Sequence, residues 1–204
     1  MPHSNISGAS LHDTTRGIVR FRRGLPADAD ALSAFARRVF DETFGPDNDP
    51  RDMGLYAENA FAPSVQHGEL TDLARVCLIG ESDGAIVAYA LLHVGSTDPA
   101  VNGPQPVEIE RFYVDAPWHG AGVADAMMDR VTSGAREAGG ETLWLGVWDR
   151  NARAIRFYAR RGFRDAGAHG FLLGTDLQTD RIMVHSLAAA PAATPGRDIA
   201  TWRA

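Results

Sequence analysis

Residues 107–124, VEIERFYVDAPWHGAGVA, set the tightest limit on what this chain can fold into. An extended apolar stretch meets a proline, then a glycine turn, and a helix begins inside that turn. A strand running through a short turn into a helix asks for a sheet covered by helices, which excludes an all-helical bundle and an all-β sandwich. After this helix, which ends near Gly139, the strand TLWLGVW leads to the helix DRNARAIRFYARRG, closed by Gly162. FRDAGAHGFLL and RIMVHSL then read as a last strand pair. Upstream, GIVRFRRG is a first strand, and LPADADALSAFARRVFDETFG is a helix with Leu32, Phe35, Ala36, Val39 and Phe40 at helical spacing. DPRDMGLYAENAF and APSVQHGELTDLA are shorter helices separated at Pro63, and RVCLIGESDGAIVAYALLHV is a hairpin turning at ESDG. The order β-α-α-(α)-ββ-β-α-β-α-ββ predicts an α/β (α+β) architecture, a mixed sheet with helices on both faces.

The 204 residues allow one well-buried domain, expected at 18–187 between flexible tails at 1–17 and 188–204. Runs such as AIVAYALLHV are too short to span a bilayer, and the N-terminus has no apolar signal core, so no membrane association is expected. The single cysteine, Cys77, sits in the apolar strand RVCLIG, reads as a buried thiol and suits the cytoplasm. All 20 basic residues are arginines, and the net charge of −6 argues against nucleic acid while permitting a cationic small molecule. The seven histidines lack metal-ligand spacing, so no metal is expected.

Three stretches carry possible chemistry. In HGAGVA, Gly120 and Gly122 remove β-carbons at a helix start, where main-chain N–H groups lack partners and the helix dipole adds positive charge. That suits either a diphosphate cradle or a packed turn that binds nothing; the third glycine of a dinucleotide fingerprint and the Gly-Lys-Ser/Thr of a P-loop are missing. In VEIERFYV, alternation puts Glu108, Glu110, Phe112 and Val114 on one face, with Val107, Ile109, Arg111 and Tyr113 on the other. Carboxylates in a central strand are paired, with Arg111 or another arginine, or else one is a general base beside a cleft. In the last helix, Asn151, Ile155 and Tyr158 share a stripe, which leaves Tyr158 as either a core residue or a catalytic one.

Taken together, these segments resemble the GNAT superfamily of acyl-CoA-dependent N-acyltransferases. The superfamily loop, Arg/Gln-x-x-Gly-x-Gly/Ala, falls on His119, Gly120, Ala121, Gly122, Val123 and Ala124, with His119 in place of Arg/Gln. The pattern N-x-x-A-x-x-F-Y-x-x-x-G-F falls on Asn151, Ala154, Phe157, Tyr158, Gly162 and Phe163. FDETFG, YAENAFAPSVQHGEL and EIERFYV are most similar to bacterial polyamine N-acetyltransferases of the PaiA type. The resemblance implies a single GNAT-like domain with a mostly antiparallel twisted sheet whose central strands splay apart. Acetyl-CoA would enter there, held by Phe112, Tyr113 and Val114, by the loop amides and by Asn151. Glu108 would act as base through water, with Glu110 second, and Tyr158 as acid. The acceptor would be a primary amine, with Asp41, Glu42, Asp52, Glu58 and Glu69 available to a polyamine. Competing readings are a protein N-terminus, lysine or antibiotic amine as acceptor, or a non-catalytic acyl-CoA sensor. A monomer or a homodimer fits equally.

Overall fold

The computed structural model describes residues 17–187, so the tails expected at 1–17 and 188–204 lie, Gly17 apart, outside the described residues. In chain order the elements are β1 (Arg20–Arg23), α1 (Ala29–Phe44), α2 (Pro50–Ala60), α3 (Pro63–Thr71), β2 (Arg75–Ser82) and β3 (Ala85–Val94). There follow β4 (Pro106–Val114), α4 (Val123–Glu137), β5 (Thr142–Trp148), α5 (Ala152–Arg160), β6 (Arg164–Leu173) and β7 (Asp176–Ser186). The expected order is therefore met element for element. Local chemistry sets the boundaries. Asp49 caps α2, accepting from Arg51 N at 2.8 Å with Pro50 at the first helical position. Asn151 caps α5 through Oδ1, 3.1 Å from Ala154 N. Asp83 and Gly84 both have positive φ, 51° and 77°, the pattern that matches a two-residue hairpin turn to strand twist.

Seven strands form one sheet in the order β1-β2-β3-β4-β5-β7-β6, antiparallel throughout except for the β4–β5 pair. α4 and α5 cover one face through Met127, Met128, Val131 and Tyr158, which pack on Leu92, Val107, Leu143 and Leu145. α1 and α2 cover the other through Phe35, Val39, Phe40 and Met53, with the α1 stripe buried as its spacing predicts. Cys77 is buried in this second core, and burial pushes its thiol up to about 12, as befits an inert structural residue.

One seam in the sheet is short. β4 and β5 pair only at Pro106–Thr142, Val107–Leu143 and Glu108–Trp144. Beyond Glu108, β4 stays with β3 up to Val114, while β5 stays with β7 up to Trp148. The two central strands thus open into a V toward their C-terminal ends.

Candidate active site

A cavity of about 570 Å³ fills the V, reached by Ile109 to Val114 from β4 and Gly146 to Trp148 from β5. A β-bulge shapes its β4 wall: Leu91 pairs with Arg111 and Leu92 with Ile109, leaving Glu110 as the extra residue. The expected alternation therefore breaks at Glu110. Val107 and Ile109 pack on the α4 core together with Phe112 and Val114, whereas Tyr113 packs on the α1–α2 core. Glu108, opposite His93, is not on the face of Phe112 and Val114, which corrects the assignment of all four to one face. A bulge inserts one residue, and one residue inverts every side chain beyond it.

At one end of the cavity lies the glycine loop. Gly120 and Gly122 hold φ of 75° and 79°, a left-handed conformation that favours glycine, and Gly122 is the residue before α4. Among the described residues, chain neighbours apart, no atom lies within 4 Å of where a β-carbon would sit on either, so the space beside the loop is open. Val123 and Ala124 are in the first turn of α4, where amides have no intrahelical acceptor, while Ala121 N is occupied at 3.3 Å by Trp118 O. His119 is fully engaged: Nε2 donates to Val114 O at 2.8 Å, and Nδ1 accepts from Arg153 Nη1 at 2.7 Å. The loop, which lacks a cation in sequence, acquires Arg153 in space. Asp125 pairs with Arg161 at 3.6 Å. Asn151 borders the cavity, although its Oδ1 is committed to the α5 cap.

Tyr158 also lines the cavity, its ring packed edge-on against Phe112 at 6.2 Å. Its hydroxyl has no hydrogen-bond partner among the described residues, and burial keeps it protonated well beyond neutral pH. The two β4 carboxylates part ways. Glu110 reaches the cavity, yet both its oxygens take 3.0 Å bonds from Arg75, and His93 Nδ1 is 3.2 Å from Oε1. Glu108 lies outside the lining, bonded to Ser96 Oγ at 2.6 Å; burial raises its pKa while that hydroxyl opposes the rise. The arginine that pairs with this strand is Arg75, because Arg111 turns to Glu69 at 2.6 Å. Ligand atoms of His93, Glu108 and Glu110 lie within 4.8 Å of one another, a cluster created by β3–β4 pairing and invisible in histidine spacing. Within this cluster Arg75 bonds Glu110 alone.

Asp41, Asp52, Glu58 and Glu69 do not line the cavity, and Glu42 borders only an adjoining hollow that shares Phe44, His119 and Trp148 with it. Glu42 pairs with Arg38 at 3.1 Å, Asp41 sits 4.0 Å from Arg37, and Asp52 caps Thr175. The far end of the cavity is instead walled by Phe40, Phe44, Tyr56, Trp148 and Phe171, with Tyr56 and Phe171 rings 5.3 Å apart. Asp180 of β7 completes it. Neither Arg153 nor Asp180 stood out in the sequence; both arrive by tertiary placement, Asp180 because β7 crosses to lie beside β5.

This geometry has parallels. Residues 36–163 match the Acetyltransferase (GNAT) family. An N-acetyltransferase of Mycobacterium bovis is 35% identical over 160 residues, covering 78% of this chain and 98% of that protein. An N-acetyltransferase from the pepI 3′ region of Lactobacillus delbrueckii subsp. lactis is 32% identical, covering 78% of this chain and 92% of its own length. Among solved structures, the PaiA N-acetyltransferase of Thermoplasma acidophilum, in complex with coenzyme A, has a TM-score of 0.68 at 16% identity, covering 83% of this chain and 99% of that one. At that identity the likeness is one of fold.

Proposed function

The chain belongs to the GNAT family of acetyltransferases and is an acyl-CoA-dependent N-acyltransferase; we propose that it moves an acetyl group from acetyl-CoA to the primary amine of a small molecule by direct attack. The observation that carries this is the V between β4 and β5, with a glycine-headed helix at one end and a cavity-facing tyrosine. Coenzyme A bound in the Thermoplasma protein of the same fold supports acetyl-CoA as the donor. The residues fit that donor. The open amides at the head of α4 suit a diphosphate, and Arg153 adds a cation at the mouth. Beyond Glu108 the edge of β4 that faces the gap is left unpaired by β5 as far as Val114, whose carbonyl accepts from His119, and this edge suits an amide-bearing arm.

Attack on the thioester places negative charge on its oxygen, and a β4 amide is the donor at hand to stabilise it. When the carbon–sulfur bond breaks, sulfur keeps the electron pair, and Tyr158 supplies the hydrogen bond and then the proton. A polyamine is best held by a row of free acids along the cavity, and of the five acids available for one, four do not line it while Glu42, at its border, is paired with Arg38; a single-amine acceptor is the reading we adopt. The test is Tyr158→Phe. Turnover of acetyl-CoA with an accepted amine should fall by about 10²-fold or more, while calorimetry finds the acetyl-CoA Kd unchanged. An undiminished rate would remove Tyr158 from the reaction, and no coenzyme A binding at millimolar ligand would remove the reaction itself.

A further inference from the structure

The acceptor's proton still needs a destination, and one carboxylate on the cavity has an oxygen with no hydrogen-bond partner among the described residues. We propose that Asp180 recognises the acceptor, binding the ammonium of an amine whose skeleton is apolar or aromatic and then taking its proton; this rests on the acyltransferase reading above.

Three observations converge on Asp180. It stands opposite Trp148 in the β5–β7 pairing, on the side where Gly146 leaves room. A β-carbon on Gly146 would lie 3.3 Å from Asp180 Oδ2 and 3.2 Å from His169 Nε2. Next, Asp180 Oδ1 is buried and without a hydrogen-bond partner among the described residues. The other acids along the cavity have arginine partners, Glu110 in Arg75 and Asp125 in Arg161, while Arg111 is taken by Glu69. A buried acceptor left unpaired is costly, and an ammonium with three N–H donors is the ligand that removes the cost. Finally, the cavity that Asp180 lines is also lined by Tyr56, Phe171 and Trp148, the last directly opposite Asp180, and aromatic faces attract a cation while their edges accept hydrocarbon. One charge within an aromatic wall selects one ammonium beside an apolar group. It disfavours polyamines, whose further charges would be stranded, and amino acids, whose carboxylate would be repelled.

The neighbours suit proton transfer as well. His169 from β6 and Asp149 after β5 are the titratable groups that act on Asp180, and His169 is held by Asp98 at 3.0 Å from Nδ1. Burial pushes the Asp180 carboxyl up to about 6, closer to the basicity an acceptor of amine protons requires at neutral pH. Two protons leave the amine nitrogen. The first passes to Asp180 before attack, freeing the lone pair that forms the carbon–nitrogen bond. The second leaves after attack and restores Tyr158, whose own proton has gone to the departing sulfur. Asp180 returns its proton to solvent, so the sum is ammonium plus thioester giving amide, thiol and one proton.

The experiment compares wild type with Asp180→Asn, using acetyl-CoA with 2-phenylethylamine and, separately, spermidine. Wild type should favour 2-phenylethylamine by kcat/KM. Asp180→Asn should lower that kcat/KM by about 10²-fold or more, with unchanged acetyl-CoA affinity and an intact melting transition. Calorimetry of 2-phenylethylamine with the coenzyme A-loaded protein gives a readout free of turnover: binding should weaken about tenfold or more in the variant. The proposal is overturned if wild type binds no 2-phenylethylamine at millimolar concentration, if spermidine is preferred, or if Asp180→Asn stays within about twofold of wild type. In each of these cases retained acetyl-CoA binding and a slowed Tyr158→Phe leave the acyltransferase reading standing, so the two failures are separable.

Discussion

Asp180 is held in a place that the fold alone does not favour. Burial raises its carboxyl to about 6 from an ordinary value near 3.8, so the folded protein holds this proton more tightly than the unfolded chain does. The associated stabilisation is complete below about pH 3.8 and is lost as pH rises through about 6. Above that, the native state carries a part-buried charge whose Oδ1 has no hydrogen-bond partner among the described residues. Asp180→Asn should therefore make the protein more stable at pH 8, by about 1–2 kcal/mol after discounting for solvent screening of a part-exposed group. The gap between variant and wild type should close as pH is lowered toward 4, tracked by thermal melts across that range. A variant less stable than wild type at pH 8 would mean that the carboxylate has a structural partner. Stability and activity moving in opposite directions mark a residue retained for its chemistry. Tyr158 is the complementary case, since its ring is core and its hydroxyl has no hydrogen-bond partner among the described residues: Tyr158→Phe should leave the melting temperature within about 1 °C while slowing turnover.

Gly122 shows what an element boundary contributes apart from side chains. Its φ of 79° is matched by 77° at Gly84 in the β2–β3 turn, and at neither would an added methyl meet another atom within 4 Å. Alanine at either site should cost about 1–2 kcal/mol of backbone strain and lower the melting temperature similarly. Only Gly122→Ala should also weaken coenzyme A binding, by about tenfold or more, because its methyl would occupy ligand space. Equal affinities in the two variants would show that the loop does not touch the diphosphate. At this scale the chain was largely legible: the α1 stripe, the ESDG turn, the glycine loop and the Gly162 stop of α5 are local signals, while the capping role of Asn151 was not read from them. The β4 bulge was not legible. Strict alternation carries no mark of an inserted residue, and the inversion at Glu110 appears only when β3 supplies the register. Asp180 and Arg153 were hidden for a related reason: their roles depend on which strand or loop lies beside them.

For the whole molecule the seam between β4 and β5 is the point of least cohesion. Three register pairs join a four-stranded half to a three-stranded half, whereas β2 and β3 share eight. Packing of α4 and α5 across the seam, through residues such as Met127 and Tyr158, supplies the rest of the link. An acyl-CoA lying in the V would contact both halves and bind only the folded form. At a concentration 100 times its Kd it should stabilise the protein by about 2.7 kcal/mol. For a domain of this size that corresponds to a rise in melting temperature of about 5–10 °C. Hydrogen exchange should localise the effect. Amides of residues 109–114 and 145–148 that face the gap should gain protection with coenzyme A, as should those at 122–125, while the β2–β3 ladder changes little. Protection confined to the α4 head would place the diphosphate correctly but leave the arm outside the V. Protection along both open strand edges requires a ligand that completes the seam the sheet leaves unpaired.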